Sequence, residues 1–224
     1  MLGNRPLPAF RPMRSESETD TIALPTSGQR GPAEHERRVQ IIQAADNLFR
    51  EFGYRKSSVA DISKAMGIST AYIYRFFESK QAIAEALCAN TLEQIDDQLR
   101  EIVLLEGSAT KRFRLFMQTA LKLSYDLFVV QRAVNDVVVA AVEGNWCTVG
   151  GHKEQIYSML QRLVVEGRQA GEFEKKTPLD EVTDGLSEIM LLYSNGRSMS
   201  DRSWEELERS MNATTSLILR SLAP

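Results

Sequence analysis

Cysteine and long hydrophobic runs are scarce in this chain, and each scarcity excludes a class of protein. Only Cys88 and Cys147 occur among 224 residues. Two cysteines cannot form a disulfide framework, and they favour a reducing compartment such as the cytoplasm. No apolar run approaches the roughly 20 residues of a membrane-spanning helix, and the amino terminus lacks the hydrophobic segment of a secretory signal. We therefore expect a cytoplasmic protein with no membrane partner.

Patterns typical of catalysis and metal binding are missing as well. The sequence has no glycine-rich phosphate loop, no Gly-x-Ser-x-Gly elbow and no paired metal motif. Its only histidines are His35 and His152. Glu143, Cys147 and His152 share one stretch, but two or three ligands at this spacing are a weak metal signal. We predict no enzyme activity, no metal and no cofactor.

The charges are distributed unevenly along the chain, whose net charge is −3. Residues 1–80 carry 12 Lys and Arg against 9 Asp and Glu, whereas residues 81–224 carry 15 against 21. A mildly basic first third on an acidic remainder is compatible with one end that faces nucleic acid and one that does not.

The distribution of proline and apolar residues divides the chain into three parts. Residues 1–33 hold five of the seven prolines and lack apolar periodicity, so we expect a disordered arm. Its four arginines can reach a nucleic-acid backbone, although a solvated tail is the simpler interpretation. Helical periodicity follows from residue 34 onward. We predict an all-α fold with a three-helix, helix-turn-helix DNA-binding domain over 34–80 and a larger helical domain over 81–224.

Residues 56–80 form the central motif. The spacing predicts two short helices joined by a tight turn, the first capped by Ser57 or Ser58 and the second by Ser69. Gly67 is expected to end the first helix. The second helix leaves Thr70, Tyr72, Tyr74 and Arg75 pointing mostly outward, and tyrosine and arginine on an exposed helix suit contact with nucleic acid. A preceding helix over 34–52 is expected to supply Phe49 and Phe52 to the core of this unit.

The run AADNLFREFGYRKSSVADISKAMGISTAYIYRFFESKQAI resembles the DNA-binding domain of the TetR family of transcriptional regulators. It shares a Phe-x-x-x-Gly-Tyr run, a Ser-Val-x-x-Ile run, an Ala-x-Gly-Ile-Ser turn and a final aromatic series with Phe-x-x-Lys, here at residues 49–54, 58–62, 65–69 and 74–80. Tyr72 departs from the small or polar residue common at its position. This position faces the bases, so the operator sequence is not transferable from relatives.

The resemblance implies roles for individual residues in binding double-stranded DNA. Ser57 or Ser58 would contact a phosphate at a helix amino terminus. The residues implied to face the major groove are Thr70, Tyr72 and Arg75, beside the helix-capping Ser69. Tyr74 and Lys80 would hold phosphates, although Tyr74 also suits a core aromatic and Lys80 a plain surface lysine. A long helix over residues 80–105 would transmit movement between the two domains.

The carboxy-terminal part is predicted to be helical except for a glycine-rich loop over residues 143–152. The resemblance implies a cavity for a small-molecule effector, and the residue types there suggest an apolar or aromatic ligand. Trp146 reads equally well as a flap over that cavity or as an anchor of its loop. The candidate ligand-binding residues are Phe116, Met117, Tyr125, Phe128, Trp146, Met159, Met190 and Tyr193.

The last two helices carry more apolar residues than one buried face requires, which indicates a homodimer interface. We expect this interface to include Leu186, Met190, Leu191, Trp204, Leu207, Met211 and Ile218. Two copies would read a palindromic operator, most often as a repressor that an effector releases. A regulator without a ligand, controlled by a partner protein or by its abundance, and an all-helical enzyme are the alternatives.

Overall fold

The computed structural model describes residues 30–130, 132–194, 199 and 201–224, and the expected arm therefore lies almost wholly outside them. The described elements are α1 Arg30–Phe52, α2 Val59–Ala65, α3 Thr70–Ile73, α4 Lys80–Val103, α5 Ala109–Tyr125 continuing into a π-helical turn Asp126–Val130, α6 Arg132–Glu143, α7 Cys147–Gln169, α8 Leu179–Tyr193 and α9 Trp204–Ser221. These residues contain no strand, which confirms the all-α prediction. None of their helices is both long enough and apolar enough to cross a membrane.

Two compact units divide the chain between Ala86 and Leu87, within α4. In the first unit, α1, α2 and α3 pack around a small apolar core whose fully or almost fully buried members are Ile41, Phe49, Ile62, Ile73 and Phe77. Phe52 was expected in this core, and that expectation is wrong, since its side chain is 54% exposed. The chain turns directly after it, at Gly53 with φ 86°, so this ring lies at the very end of α1.

The second unit is built around α5, whose Phe113, Phe116 and Met117 are fully buried. Its amino terminus is closed by Glu172, whose carboxylate accepts hydrogen bonds from the Ser108 hydroxyl at 2.6 Å and from the amides of Ala109 and Thr110 at 2.9 and 3.0 Å. These amides have no intrahelical partner. A carboxylate at this position therefore satisfies orphan donors and the helix dipole together.

Helix α7 begins earlier than the glycine content suggests. The predicted loop over residues 143–152 ends at Trp146, and Cys147 already opens the helix. Gly150 and Gly151 lie inside its first turns, where tertiary contacts override their weak helix propensity. Trp146 is buried and anchors the turn before the helix.

Candidate nucleic-acid interface and ligand cavity

The turn between α2 and α3 has the geometry of a helix-turn-helix. Ser58 caps α2 and forms a capping box with Asp61, each side chain bonding the other's backbone amide. Gly67 adopts φ 65°, a left-handed conformation that costs glycine nothing, and α2 ends just before it. Ser69 then caps α3 through the amide of Tyr72 at 3.2 Å. The local sequence thus determines both helix ends and the angle between them.

Helix α3 and the residues after it present a basic aromatic surface. Tyr74 is 51% exposed and Arg75 is exposed, whereas Tyr72 is half-buried with its ring edge against Phe76 at 5.3 Å between centroids. The Arg75 guanidinium lies 5.5 Å from the centre of the Tyr72 ring. The Thr70 hydroxyl is hydrogen-bonded to that of the buried Ser63 at 3.0 Å, which ties α3 to α2.

Helix α1 adds two arginines that sequence reasoning did not single out. The Arg37 guanidinium lies 5.9 Å from the Tyr72 ring centre, on the same surface as Arg75. Arg38 donates a hydrogen bond to the carbonyl of Phe76 and stacks 4.2 Å over the Phe77 ring. Arg38 therefore fixes α1 to the segment after α3, and Arg37 extends the positive surface. Their spacing on the polar side of α1 carries no signal that separates them from other surface arginines.

Two predicted phosphate ligands are already engaged within the protein. Ser57 is buried, and its hydroxyl donates to the Gly53 carbonyl at 2.9 Å. The Lys80 ammonium donates to the carbonyls of Tyr54 and Ser57 at 2.9 and 3.0 Å and lies 4.4 Å from the Tyr54 ring centre. Burial lowers the pKa of this ammonium. The structure therefore gives Ser57 and Lys80 structural contacts in the α1–α2 turn instead of an open phosphate site.

The second unit contains a cavity of about 1380 Å³. Helices α4 to α8 and the π-helical turn contribute to its wall. The apolar lining is Leu92, Ile95, Leu127, Phe128, Val129, Val138, Val139, Val142, Val149, Ile156, Met190 and Leu191. Cavities that hold drug-sized ligands span roughly 300–1,000 Å³ and are mostly apolar, so this one has the size and lining to take a small molecule.

Only two of the eight predicted ligand residues, Phe128 and Met190, lie on the wall of this cavity. The other six are engaged elsewhere. Phe116 and Met117 are fully buried in the core, and Met159 and Trp146 are also buried off the cavity wall. The Tyr125 ring packs on Trp204 at 5.1 Å between centroids. The Tyr193 hydroxyl is hydrogen-bonded to Ser210 and Thr214 at 2.8 and 3.0 Å.

The polar groups at the cavity include a histidine that is paired with a carboxylate. His152 lies on the wall, and its Nδ1 is 2.7 Å from a carboxylate oxygen of the buried Asp96. Within the described residues, no group of three His, Cys, Asp or Glu side chains is placed to hold a metal. The Ser187 hydroxyl is buried at the wall and has no hydrogen-bond partner among the residues that the structure describes.

Most of the predicted dimer residues are buried within their own protomer. Leu186, Met190, Leu207, Met211 and Ile218 each expose less than a tenth of their surface, because the amphipathic stripe of a helix covers its own core first. The structure thus places these five inside the protomer, with Met190 also on the cavity wall, and leaves them little surface for a partner. Trp204 is half-buried.

The apolar residues that do remain exposed on the last two helices form a smaller set. Leu191 is 39% exposed, and Leu192 and Leu217 are 65% and 66% exposed. Of these three, only Leu191 belongs to the predicted interface set.

Sequence comparison assigns the first unit to a known family. Residues 41–87 match the family model for "Bacterial regulatory proteins, tetR family". The HTH-type transcriptional repressor KstR2 of Rhodococcus jostii (strain RHA1) is 35% identical over 87 residues, which cover 38% of this chain and 40% of that protein. The chain thus spans about two fifths of the length of this relative.

The fold of the described chain also recurs in solved structures. A transcriptional regulator from Cytophaga hutchinsonii matches with a TM-score of 0.68 at 16% identity, covering 84% of this chain and 99% of the other. The regulator FadR from Bacillus subtilis, solved in complex with stearoyl-CoA, matches with a TM-score of 0.55 at 18% identity, covering 82% and 98%. The first unit of this chain thus matches the DNA-binding domain of the TetR family, and the described chain shares its helical fold with these solved structures.

Proposed function

We propose that this chain is a homodimeric transcriptional repressor that binds a palindromic operator in the cytoplasm and leaves it when a small ligand binds. The observation that carries the proposal is the surface formed by the exposed Tyr74 and Arg75 and the half-buried Tyr72, extended by Arg37 from α1. Arginine reads a guanine edge in the major groove through two hydrogen bonds. Tyrosine hydroxyls and exposed arginines also bind phosphate oxygens.

The role of each residue follows from its surroundings. Arg75 and Tyr72 are the base readers, with Thr70 and Ser69 beside them at the start of α3. Tyr74 contacts a phosphate. At the amino terminus of α2, the Ser58 amide is occupied by Asp61 at 2.8 Å, so the first-turn amides of Val59 and Ala60 remain as donors for a phosphate.

Two copies of the chain are needed to read a palindrome. Leu191 and Leu192 on α8 and Leu217 on α9 are exposed apolar side chains, and a two-fold pairing of these helices would bury them in a four-helix bundle. Such a dimer would place two recognition helices roughly 34–36 Å apart, one turn of DNA.

The cavity of the second unit is proposed as the effector site, for a ligand with an apolar or aromatic body. Its apolar lining supports this, as does the π-helical turn Asp126–Val130, because π-turns occur frequently at functional sites. Helix α4 carries Lys80, bonded to the α1–α2 turn, and also Leu92 and Ile95 on the cavity wall. A ligand that binds more tightly to a conformation unable to bind DNA would raise the population of that conformation, and the protein would leave the operator.

The test of DNA binding uses the full chain and a labelled duplex from the region upstream of its own gene. Fluorescence anisotropy should show binding at least about a thousandfold tighter than to a scrambled duplex. Changing Tyr72 and Arg75 together to alanine should abolish the preference. Changing Lys111 and Arg209, exposed basic residues on α5 and α9, should leave it intact. Equal affinity for both duplexes would refute the proposal.

A further inference from the structure

Among the described side chains on the wall of the cavity, negative charge predominates over positive charge. Asp136 on α6 and Glu154 on α7 both line it and are exposed. Neither has an ion-pair partner among the side chains that the structure describes, which do not include those of residues 130–135. Lys153 contributes the one lysine of the described lining. Glu143 lies there too, although this residue takes part in another interaction. Without Glu143, two carboxylates still oppose one ammonium.

Two further features add to this negative potential. Tyr157 lines the cavity, and its pKa is raised by burial, by a hydrogen bond to Asp184 and by the charges of Asp184 and Asp180 on α8. His152, also on the wall, is paired with the buried Asp96, whose carboxylate oxygen lies 2.7 Å from its Nδ1. Carboxylates of α6 and α7 thus line the cavity, and carboxylates of α4 and α8 lie next to the wall residues His152 and Tyr157.

We infer that the cavity selects a cationic amphiphile, with its apolar body among the aliphatic side chains and its positive head at Asp136 and Glu154. The inference rests on the proposed effector role of the cavity. The half-buried rings of Phe128 and Tyr157 on the same wall suit such a head, since an aromatic face attracts a cation. An anionic ligand, and above all a thioester of coenzyme A with its phosphates, meets like charge at this wall.

The experiment compares ligands that share one apolar body and differ in the head. Decylammonium, decanol, decanoate and decanoyl-CoA are titrated into the full chain by isothermal calorimetry, without DNA. We expect decylammonium to bind at least roughly tenfold more tightly than decanoate, because two nearby carboxylates attract the first and repel the second. Decanol should lie between them, and decanoyl-CoA should bind most weakly.

A double variant tests whether the selectivity for a cationic head depends on these two carboxylates. Asp136→Asn with Glu154→Gln should reduce the ratio between decylammonium and decanoate to about threefold or less. The matched control, Glu101→Gln with Glu208→Gln, neutralises two exposed carboxylates that do not line the cavity and should keep the ratio of the unmodified chain.

Three outcomes would overturn the inference: tighter binding of decanoate or decanoyl-CoA, an unchanged ratio in the double variant, or no heat from any probe at millimolar concentration. The proposed function is tested separately, by measuring DNA binding to the upstream duplex through fluorescence anisotropy. Loss of cation selectivity with intact DNA binding refutes this inference alone. Cation selectivity in a chain that binds no DNA refutes the proposed function and leaves the ligand class of the cavity established.

Discussion

Lys80 and Arg75 are two basic residues of the same unit with different surroundings. The Lys80 ammonium is held by two backbone carbonyls of the α1–α2 turn, whereas Arg75 is exposed beside the Tyr72 ring. A residue that is already bonded within the fold contributes to stability, and a residue that is exposed on the recognition helix contributes to affinity and specificity. The difference is measurable.

Lys80→Met should lower the stability of the fold by about 1.5–3 kcal/mol, the usual value for hydrogen bonds to a charged group. Thermal unfolding followed by circular dichroism measures this loss. The slope of log affinity for DNA against log salt concentration should stay unchanged, since no phosphate contact is removed. Lys64→Met, at an exposed position of α2, is the control for stability. A slope reduced by about 0.9, the value of one phosphate, with normal melting would contradict this assignment.

For single residues, the sequence predicted the helix caps better than the tertiary contacts of the side chains. Ser58, Gly67 and Ser69 act locally, within three or four residues, and their predicted roles as caps and helix stop agree with the structure. Ser57 and Lys80 are different, because their partners become visible only when α1, α2 and α4 are brought together. Phe116 and Phe128 have the same residue type and helical spacing, yet only Phe128 lines the cavity.

Among the helices, α5 depends on a residue far away in sequence. Burial opposes ionisation of Glu172, but hydrogen bonds from Ser108, Thr110 and Ala109 hold its pKa at about 2, below the ordinary 4.5. A carboxylate whose pKa is lower in the folded state stabilises the fold above pH 4.5, and this stabilisation is lost as the pH falls towards 2. No local pattern in the sequence indicates this contact, because its partners lie more than sixty residues apart.

Glu172→Gln should therefore destabilise the protein at pH 7 by about 1–2 kcal/mol, as expected for loss of a charged helix cap. Urea denaturation at a series of pH values measures the difference between the two proteins. That difference should shrink as the pH falls from 4.5 towards 2. Glu208→Gln, at an exposed position of α9, is the matched control. A difference that is the same at every pH would rule out the ionised cap.

In helix α7, the low helix propensity of glycine predicts the wrong secondary structure. Three glycines near Trp146 predicted a loop, but the burial of Trp146 and the bond from His152 to Asp96 hold this segment as helix. Gly167 in the same helix has a reason for lacking a side chain, because a Cβ there would lie 2.1 Å from the Phe173 ring. Packing partners of this kind come from distant residues and leave no local pattern.

For the whole molecule, the central question is the proposed dimer, which would present two recognition helices. Amphipathic periodicity predicted that α8 and α9 form its interface but selected the stripe that packs inside the protomer. The opposite side, with Leu192 and Leu217 exposed by 65% and 66%, is the surface that we propose for the dimer. Periodicity alone cannot separate these two sides when both carry leucines.

Leu192→Glu and Leu217→Glu should each weaken the dimer at least about a hundredfold, because the two-fold axis places a charge in the interface twice. Sedimentation equilibrium measures the dissociation constant. Leu104→Glu, at an equally exposed leucine just beyond α4, is the control and should leave the assembly unchanged. A stable dimer in both interface variants would place the contact on another surface.

The most direct test of the central claim is selection of bound sequences from random double-stranded DNA by the full chain. The account predicts enrichment of an inverted repeat whose half-sites are centred about one helical turn, or a multiple of it, apart. The Arg75→Ala variant should lose the base preference at one symmetric pair of positions, with a cost of about 1–3 kcal/mol. Recovery of no enriched motif, or of the same motif at equal strength by Arg75→Ala, would contradict the account.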